Sequence, residues 1–281
     1  MRVLITNDDG VASPGLTVLA DLAQEAGHEV IVAAPNRQYS GYSAALSAEN
    51  HDNMPSYPDG PTREDPRLVI SPGRPPEVDA AVESFAVHAS PAAIVYAAGL
   101  EAFGPRPDLV LSGINLGPNI GPAVVHSGTV GAALSAAAQG IPALAASMSS
   151  FRPQHWQTAY PVLREALEWL TTHPQDGRVL NVNIPDLPVE RLRGVRAAEL
   201  ATFGTLPDTV DRSVRQILFA HMEDGQEPPA QFPEGTDAHE LSQGWATLSL
   251  IRAPRHDVEE AELPTFDEVT FAGTGGAGAP R

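Results

Sequence analysis

The sequence predicts an α/β fold: a doubly wound, mostly parallel sheet with helices on both faces. Two observations carry this. Residues 3–34 read as strand, helix and strand in succession, and helix followed by strand recurs three more times downstream. The short apolar runs are of strand length, whereas the amphipathic stretches repeat at helical spacing.

The elements follow in order. Residues 3–5 (VLI) form a short buried strand, and residues 6–13 the loop after it. Ser13 can cap the next helix, Pro14 suits its first turn, and Leu16, Leu19, Ala20 and Ala23 share one face. Gly27 is placed to stop it. Residues 29–34 (EVIVAA) are the second strand. Helices are expected at 92–100, 128–139 and 160–171, and strands at 108–112, 141–147 and 179–184. Three stretches fall outside this grammar. Residues 49–67 are polar and Pro-rich, 208–237 mix a possible strand pair with a Pro/Gly/Glu-rich connection, and 265–281 end in GTGGAGAP. The expected organisation is one α/β domain over 1–256, with a β-rich excursion at about 194–245 and a flexible tail at 257–281.

Bulk composition narrows the function. The chain has 281 residues, 42% of them hydrophobic, and a formal charge of −18 from 35 Asp and Glu against 17 Lys and Arg. An acidic surface argues against a nucleic acid duplex or an anionic membrane as partner. A small anionic substrate stays possible, because a bound cation reverses the local field. With no cysteine there is no disulfide, thiolate metal site or Cys nucleophile. The first apolar run is too short for a secretory signal, and no stretch reaches membrane-span length, so a cytoplasmic protein is expected.

Three loops hold candidate chemistry. Asn7-Asp8-Asp9-Gly10 follows the first strand, where open α/β sheets place their sites. Adjacent carboxylates repel, and a hard divalent cation relieves that repulsion; the bland alternative is a solvated acidic turn. The second loop, PNRQYSGYS, offers the Arg37 guanidinium, the Ser40 and Ser43 hydroxyls, and Gly41 for close backbone approach. Tyr39 and Tyr42 could stack on a base. The third loop, SGINLGPNIGPAVVHSGT over 112–129, carries Asn115 and Asn119 and runs into a helix at Ser127, Gly128 and Thr129. Free N–H groups at that helix start can bind an anion, and glycine lets backbone approach phosphate closely. His126 beside the turn is a candidate general acid. Together the loops point to metal-assisted phosphate chemistry.

TNDDG, AP-x-R-x-x-SG and SGIN-x-GPN-x-G…HSGTVGAA together resemble the SurE family, with weaker similarity at LNVNIP and TDAHELSQGWATLSL. The resemblance implies a Rossmann-like fold and a metal-dependent phosphatase, a 5′/3′-nucleotidase releasing nucleoside and phosphate. It implies a metal site at Asp8, Asp9, Ser40 and Asn115, with catalysis centred on Asp8 and Asp9. It places phosphate at Asn119, Ser127, Gly128 and Thr129, and substrate near Arg37, Tyr39 and Gly41. One Mg2+ or Mn2+ per subunit and a homodimer or homotetramer are expected. The chain departs from the family pattern at Ala93, where an acidic residue is usual, at Tyr39, and at Ser135. Those departures keep two alternatives open: a phosphatase of a non-nucleotide metabolite, and a non-catalytic nucleotide- or metal-binding protein.

Overall fold

Strand β1 (Arg2–Thr6) alternates its side chains between two hydrophobic layers, and that alternation organises the molecule. Val3 and Ile5 face the layer of helices α1 (Pro14–Glu25) and α4 (Ala159–Thr172). Leu4 faces the layer of α2 (Pro91–Gly99) and α3 (Gly128–Ala138). The structure is a computed structural model and describes residues 1–48, 68–202 and 232–254.

The other strands are β2 (Glu29–Pro35), β3 (Ile70–Pro72), β4 (Glu83–Val87), β5 (Leu109–Asn115), β6 (Ala143–Met148), β7 (Arg178–Ile184), β8 (Val195–Ala197) and β9 (Ala246–Arg252). Among the described residues they form one sheet in the order β3-β4-β2-β1-β5-β6-β7-β9-β8. The core from β4 to β7 is parallel, whereas β3 on β4 and β9 on β7 are antiparallel. The doubly wound α/β expectation is met. The parallel strands are buried on both faces, which is why they read as continuous apolar runs.

Each helix has a local reason to be where it is. Helix α4 buries Val162, Leu163, Ala166, Leu167 and Leu170, a single stripe at helical spacing. Helix α3 buries almost only small residues (Ala132, Ala133, Ala136 and Ala137) and so packs closely on α2 and the sheet. Helix α1 begins at Pro14 with Ser13 in the N-cap position, although the Ser13 hydroxyl makes no capping bond. Gly27 follows its end at φ +77, the left-handed conformation expected of a helix stop.

The chain leaves β1 toward β2 and β4 on one side, then returns to β5, β6 and β7 on the other. The crevice between the carboxyl ends of β1 and β5 is therefore the topological switch point, where such sheets bind ligands. The β-rich excursion expected at about 194–245 is different in kind. Its described part holds β8, which joins the edge of the main sheet through β9, and helix α5 (Asp237–Ser242). The rest of it, residues 203–231, together with 49–67 and the tail at 257–281, lies outside the described residues.

Candidate active site at the switch point

Asp8 and Asp9 leave β1 at the switch point, and a turn closed by Asn7 fixes their direction. Asn7 Nδ2 donates to Gly10 O, and Gly10 N donates back to Asn7 Oδ1, each at 3.1 Å. The backbone is then tied to the second loop: Val11 N donates to Pro35 O and Tyr39 N to Asp8 O, both at 2.7 Å. Gly10 has φ +100, which a side chain would strain.

Asp8 is buried, and its carboxylate meets the start of α3. Thr129 Oγ1 donates to Asp8 Oδ1, and the N–H groups of Gly128 and Thr129 also reach the carboxylate. A Cβ on Gly128 would lie 2.7 Å from Asp8 Oδ2 and 2.8 Å from Asp8 Cβ, so only glycine permits this approach. Ser127 caps the same helix, its Oγ accepting from Val130 N at 3.1 Å. Sequence reasoning assigns this helix start to phosphate. In the structure its first donors are turned to Asp8, and a phosphate here would share them.

Asp9 is half-buried, with Oδ2 accepting from Leu116 N at 3.2 Å and a further hydrogen bond from the Gln38 side chain. Burial, then the Asp8 charge, push its carboxyl up to about 6; burial raises Asp8 as well. Asn115 ends β5, and its Nδ2 donates to Gly117 O at 2.7 Å, which holds the amide in one orientation. The strand runs through Asn115 instead of stopping at Ser112 as expected, so Asn115 is set on the sheet and not on a loose loop.

The second loop lies across α3. Ser43 Oγ donates to Val125 O at 2.6 Å, and a Cβ at Gly131 would sit 2.2 Å from Ser43 O. Ser40 and Gly41 are exposed on this rim beside Tyr39. Arg37 is exposed and stacks its guanidinium 4.4 Å from the Tyr39 ring centre. Tyr39 itself is 1% exposed and meets Tyr42 edge-on, so the aromatic surface this loop presents to solvent is that of Tyr42. His126 is exposed, and its carbonyl accepts from Ser43 N. Ala93 is partly buried against the core on α2, and Ser135 Oγ donates back to Gly131 O within α3.

Little in the sequence signals what holds the third loop. Asn119 is buried and hooks into the sheet: its Nδ2 donates to Ser147 Oγ, its N to Asn183 Oδ1, and its O accepts from Asn181 and Asn183. Asn181 and Asn183 are two apart on β7 and therefore share a face. Asp237 of α5 accepts from Gly121 N at 2.9 Å and Ala201 N at 2.8 Å. These partners are remote in sequence; the only hint was a polar asparagine pair inside an apolar strand.

A divalent cation suits this donor set. Asp8 and Asp9 are two carboxylates whose joint ionisation is penalised by burial and by each other, which a cation relieves. The Asn115 amide and Ser40 hydroxyl would add neutral oxygens, the ligand type of hard ions. Among the described residues no three His, Cys, Asp or Glu side chains cluster, so a cation here would rest on two carboxylates and neutral donors.

Comparisons with known proteins agree with this architecture. The family described as Survival protein SurE matches residues 3–204. A 5′/3′-nucleotidase SurE of Cronobacter sakazakii is 39% identical over 197 residues, 70% of this chain and 68% of that protein. Its counterpart in Erwinia tasmaniensis has the same identity and coverage. The crystal structure of the SurE protein from Aquifex aeolicus matches with a TM-score of 0.66 at 25% identity, over 92% of this chain and 95% of that one. With a match across well over half its length, and with the sheet order and the site set out above, the chain belongs to the SurE family.

Proposed function

We infer that the chain is a metal-dependent phosphomonoester hydrolase acting on nucleoside monophosphates. The observation that carries this is the pair of buried Asp8 and half-buried Asp9 beside the Asn115 amide at the switch point. Relatives named 5′/3′-nucleotidase SurE, at 39% identity, support the substrate class.

Asp8, Asp9, Ser40 and Asn115 would hold one divalent ion, Mg2+ or Mn2+. Such an ion supplies Lewis acidity at the phosphoryl oxygen and lowers the pKa of a bound water. Asp9, held by Leu116 N, orients the attacking water. Asp8 is fixed by Thr129 and the α3 start. The exposed residues Arg37 and Gly41 border the entrance. Ser127, Gly128 and Thr129 direct positive backbone charge at the centre, which favours charge on the phosphoryl oxygens. Asn119 acts through the loop it secures. Tyr39 supports the rim from beneath. A single α/β domain over 1–256, a cytoplasmic setting and a homodimer or homotetramer complete the proposal. Among the described residues no helix is long and apolar enough to cross a membrane.

The test is release of phosphate from nucleoside 5′- and 3′-monophosphates and from an aryl phosphate, with Mn2+, with Mg2+ and after chelation. Turnover that needs the metal is expected. Full activity after exhaustive chelation, or no turnover of any phosphomonoester, overturns the reading.

A further inference from the structure

Gln38 lies between Arg37 and Tyr39 on the second loop and is exposed at the rim. Its side-chain amide nevertheless donates a hydrogen bond to the Asp9 carboxylate, which is half-buried in the crevice. The backbone on either side of Gln38 is packed on the turn that bears Asp8 and Asp9. Tyr39 N donates to Asp8 O at 2.7 Å, and a Cβ on Gly10 would lie 3.3 Å from the carbonyl carbon of Arg37. Asn36 N donates to Val87 O at 2.9 Å, which ties the start of the same loop to the end of β4. The Gln38 side chain therefore meets Asp9 from a fixed base.

Asp9 is held from the opposite side as well. Its Oδ2 accepts from Leu116 N of the third loop at 3.2 Å. The second loop follows β2, the third follows β5, and these two strands flank β1. The carboxylate thus receives one donor from each neighbouring loop. An ionised carboxylate offers about four acceptor positions, so about two remain for a cation. An exposed amide ordinarily gains little from a hydrogen bond, because water offers the same. Here the acceptor is half-buried, and without Gln38 only the Leu116 N–H would keep the carboxylate from turning.

We propose that Gln38 is a positioning residue for the cation: it fixes the Asp9 carboxylate from the second loop and so couples that loop to metal binding. The inference rests on the metal-dependent hydrolase reading and deepens it. Ser40, two residues further on, brings the neutral oxygen assigned to the same ion. Gln38 and Ser40 act from one short segment, the first on a ligand and the second as a ligand. Hydrogen-bond partners of metal-binding side chains are worth about 10–100-fold in affinity or activity.

The experiment is calorimetric titration of the chelated full chain with Mn2+, alongside melts of the metal-free protein. Gln38→Met, similar in length but without the amide, should raise the Mn2+ Kd about tenfold. Its metal-free Tm should stay within about 2 °C of wild type, as for other exposed substitutions. Ser43→Ala removes the bond from Ser43 Oγ to Val125 O, which ties the second loop to the third without touching Asp9, and should leave the Kd unchanged. Phosphate release by Gln38→Met should approach the wild-type rate only as Mn2+ is raised. An unchanged Kd in Gln38→Met, or a Kd raised as much in Ser43→Ala, overturns the proposal. A wild type that binds Mn2+ but releases no phosphate overturns the hydrolase reading alone, and the Kd ratio still decides the role of Gln38. A wild type that binds no Mn2+ overturns both.

Discussion

Gly128 decides how closely α3 can approach Asp8. Alanine would favour the helix by about 0.5–1 kcal/mol on conformational grounds. Its Cβ, however, would overlap both Oδ2 and Cβ of Asp8, and overpacking of this kind costs about 1–3 kcal/mol. The clash wins. Gly128→Ala is expected to fold less stably and to lose about 10²-fold in kcat, the scale of a displaced electrostatic group. Wild-type turnover at saturating Mn2+ would mean that Asp8 can move without consequence. Asp9 gives a pH signature. In the metal-free protein its carboxyl is raised from 3.8 to about 6, so the folded chain keeps a proton that the unfolded chain has released. Stability is then lost as pH rises from about 4 to beyond 6. Thermal melts of metal-free wild type and Asp9→Asn across that range should show the wild type alone losing this increment, and a constant difference would remove Asp9 from the linkage. The positions of Asp8 and Asp9 were legible in the sequence because they follow the apolar run of β1 closely, whereas Asn115, expected on the loop, is the last residue of β5. The burial of Tyr39 was not legible, because it depends on how the second loop folds over α3, which no local pattern records.

At the scale of elements, the third loop is held by parts of the chain that come much later. Asp237 is buried and accepts from Gly121, Ala201 and Ala238 N–H groups. Asp237→Ala leaves those donors without their acceptor, at about 1–3 kcal/mol. For a domain of this size that corresponds to a fall in Tm of roughly 2–12 °C, readable by calorimetry. A melt unchanged within a degree would show that water replaces the carboxylate. Helices α1 to α4 and strands β1, β2, β5, β6 and β7 were readable from sequence, because their apolar periodicity is set by burial on one or both faces; strand β4 and helix α5 were not expected. Helix α4 was expected at 160–171 and runs Ala159–Thr172. The edges were not. Strands β3 and β8 are three residues each and largely exposed, so no hydrophobic pattern distinguishes them from loop. Strand β9 is buried at its start, at Ala246 and Thr247, and exposed toward its end, and its place beside β7 is a matter of topology, not of pattern.

Across the whole molecule, an acidic chain gathers two of its carboxylates into a nearly dry crevice, and a cation is the natural counterweight. A ligand bound only by the folded state stabilises it by about 2.7 kcal/mol at a hundredfold excess over Kd. Adding Mn2+ to chelated protein should therefore raise Tm by several degrees. The gain should be larger at pH 7.5 than at pH 5, where Asp9 is protonated; a gain independent of pH would place the ion elsewhere. The sheet order has a consequence for how the protein is made. Asp8, Asp9, Ser40 and Asn115 have all been synthesised by the end of β5. The groups that pin the loop after β5 (Ser147, Asn181, Asn183 and Asp237) emerge from the ribosome only later, the last of them on α5. A nascent chain thus carries every proposed metal ligand long before it can hold them in place. The last of these anchors arrives with the return of the chain through α5 and β9, so a chain released before Asp237 carries all the proposed ligands and lacks the carboxylate that holds Gly121 in the loop after β5.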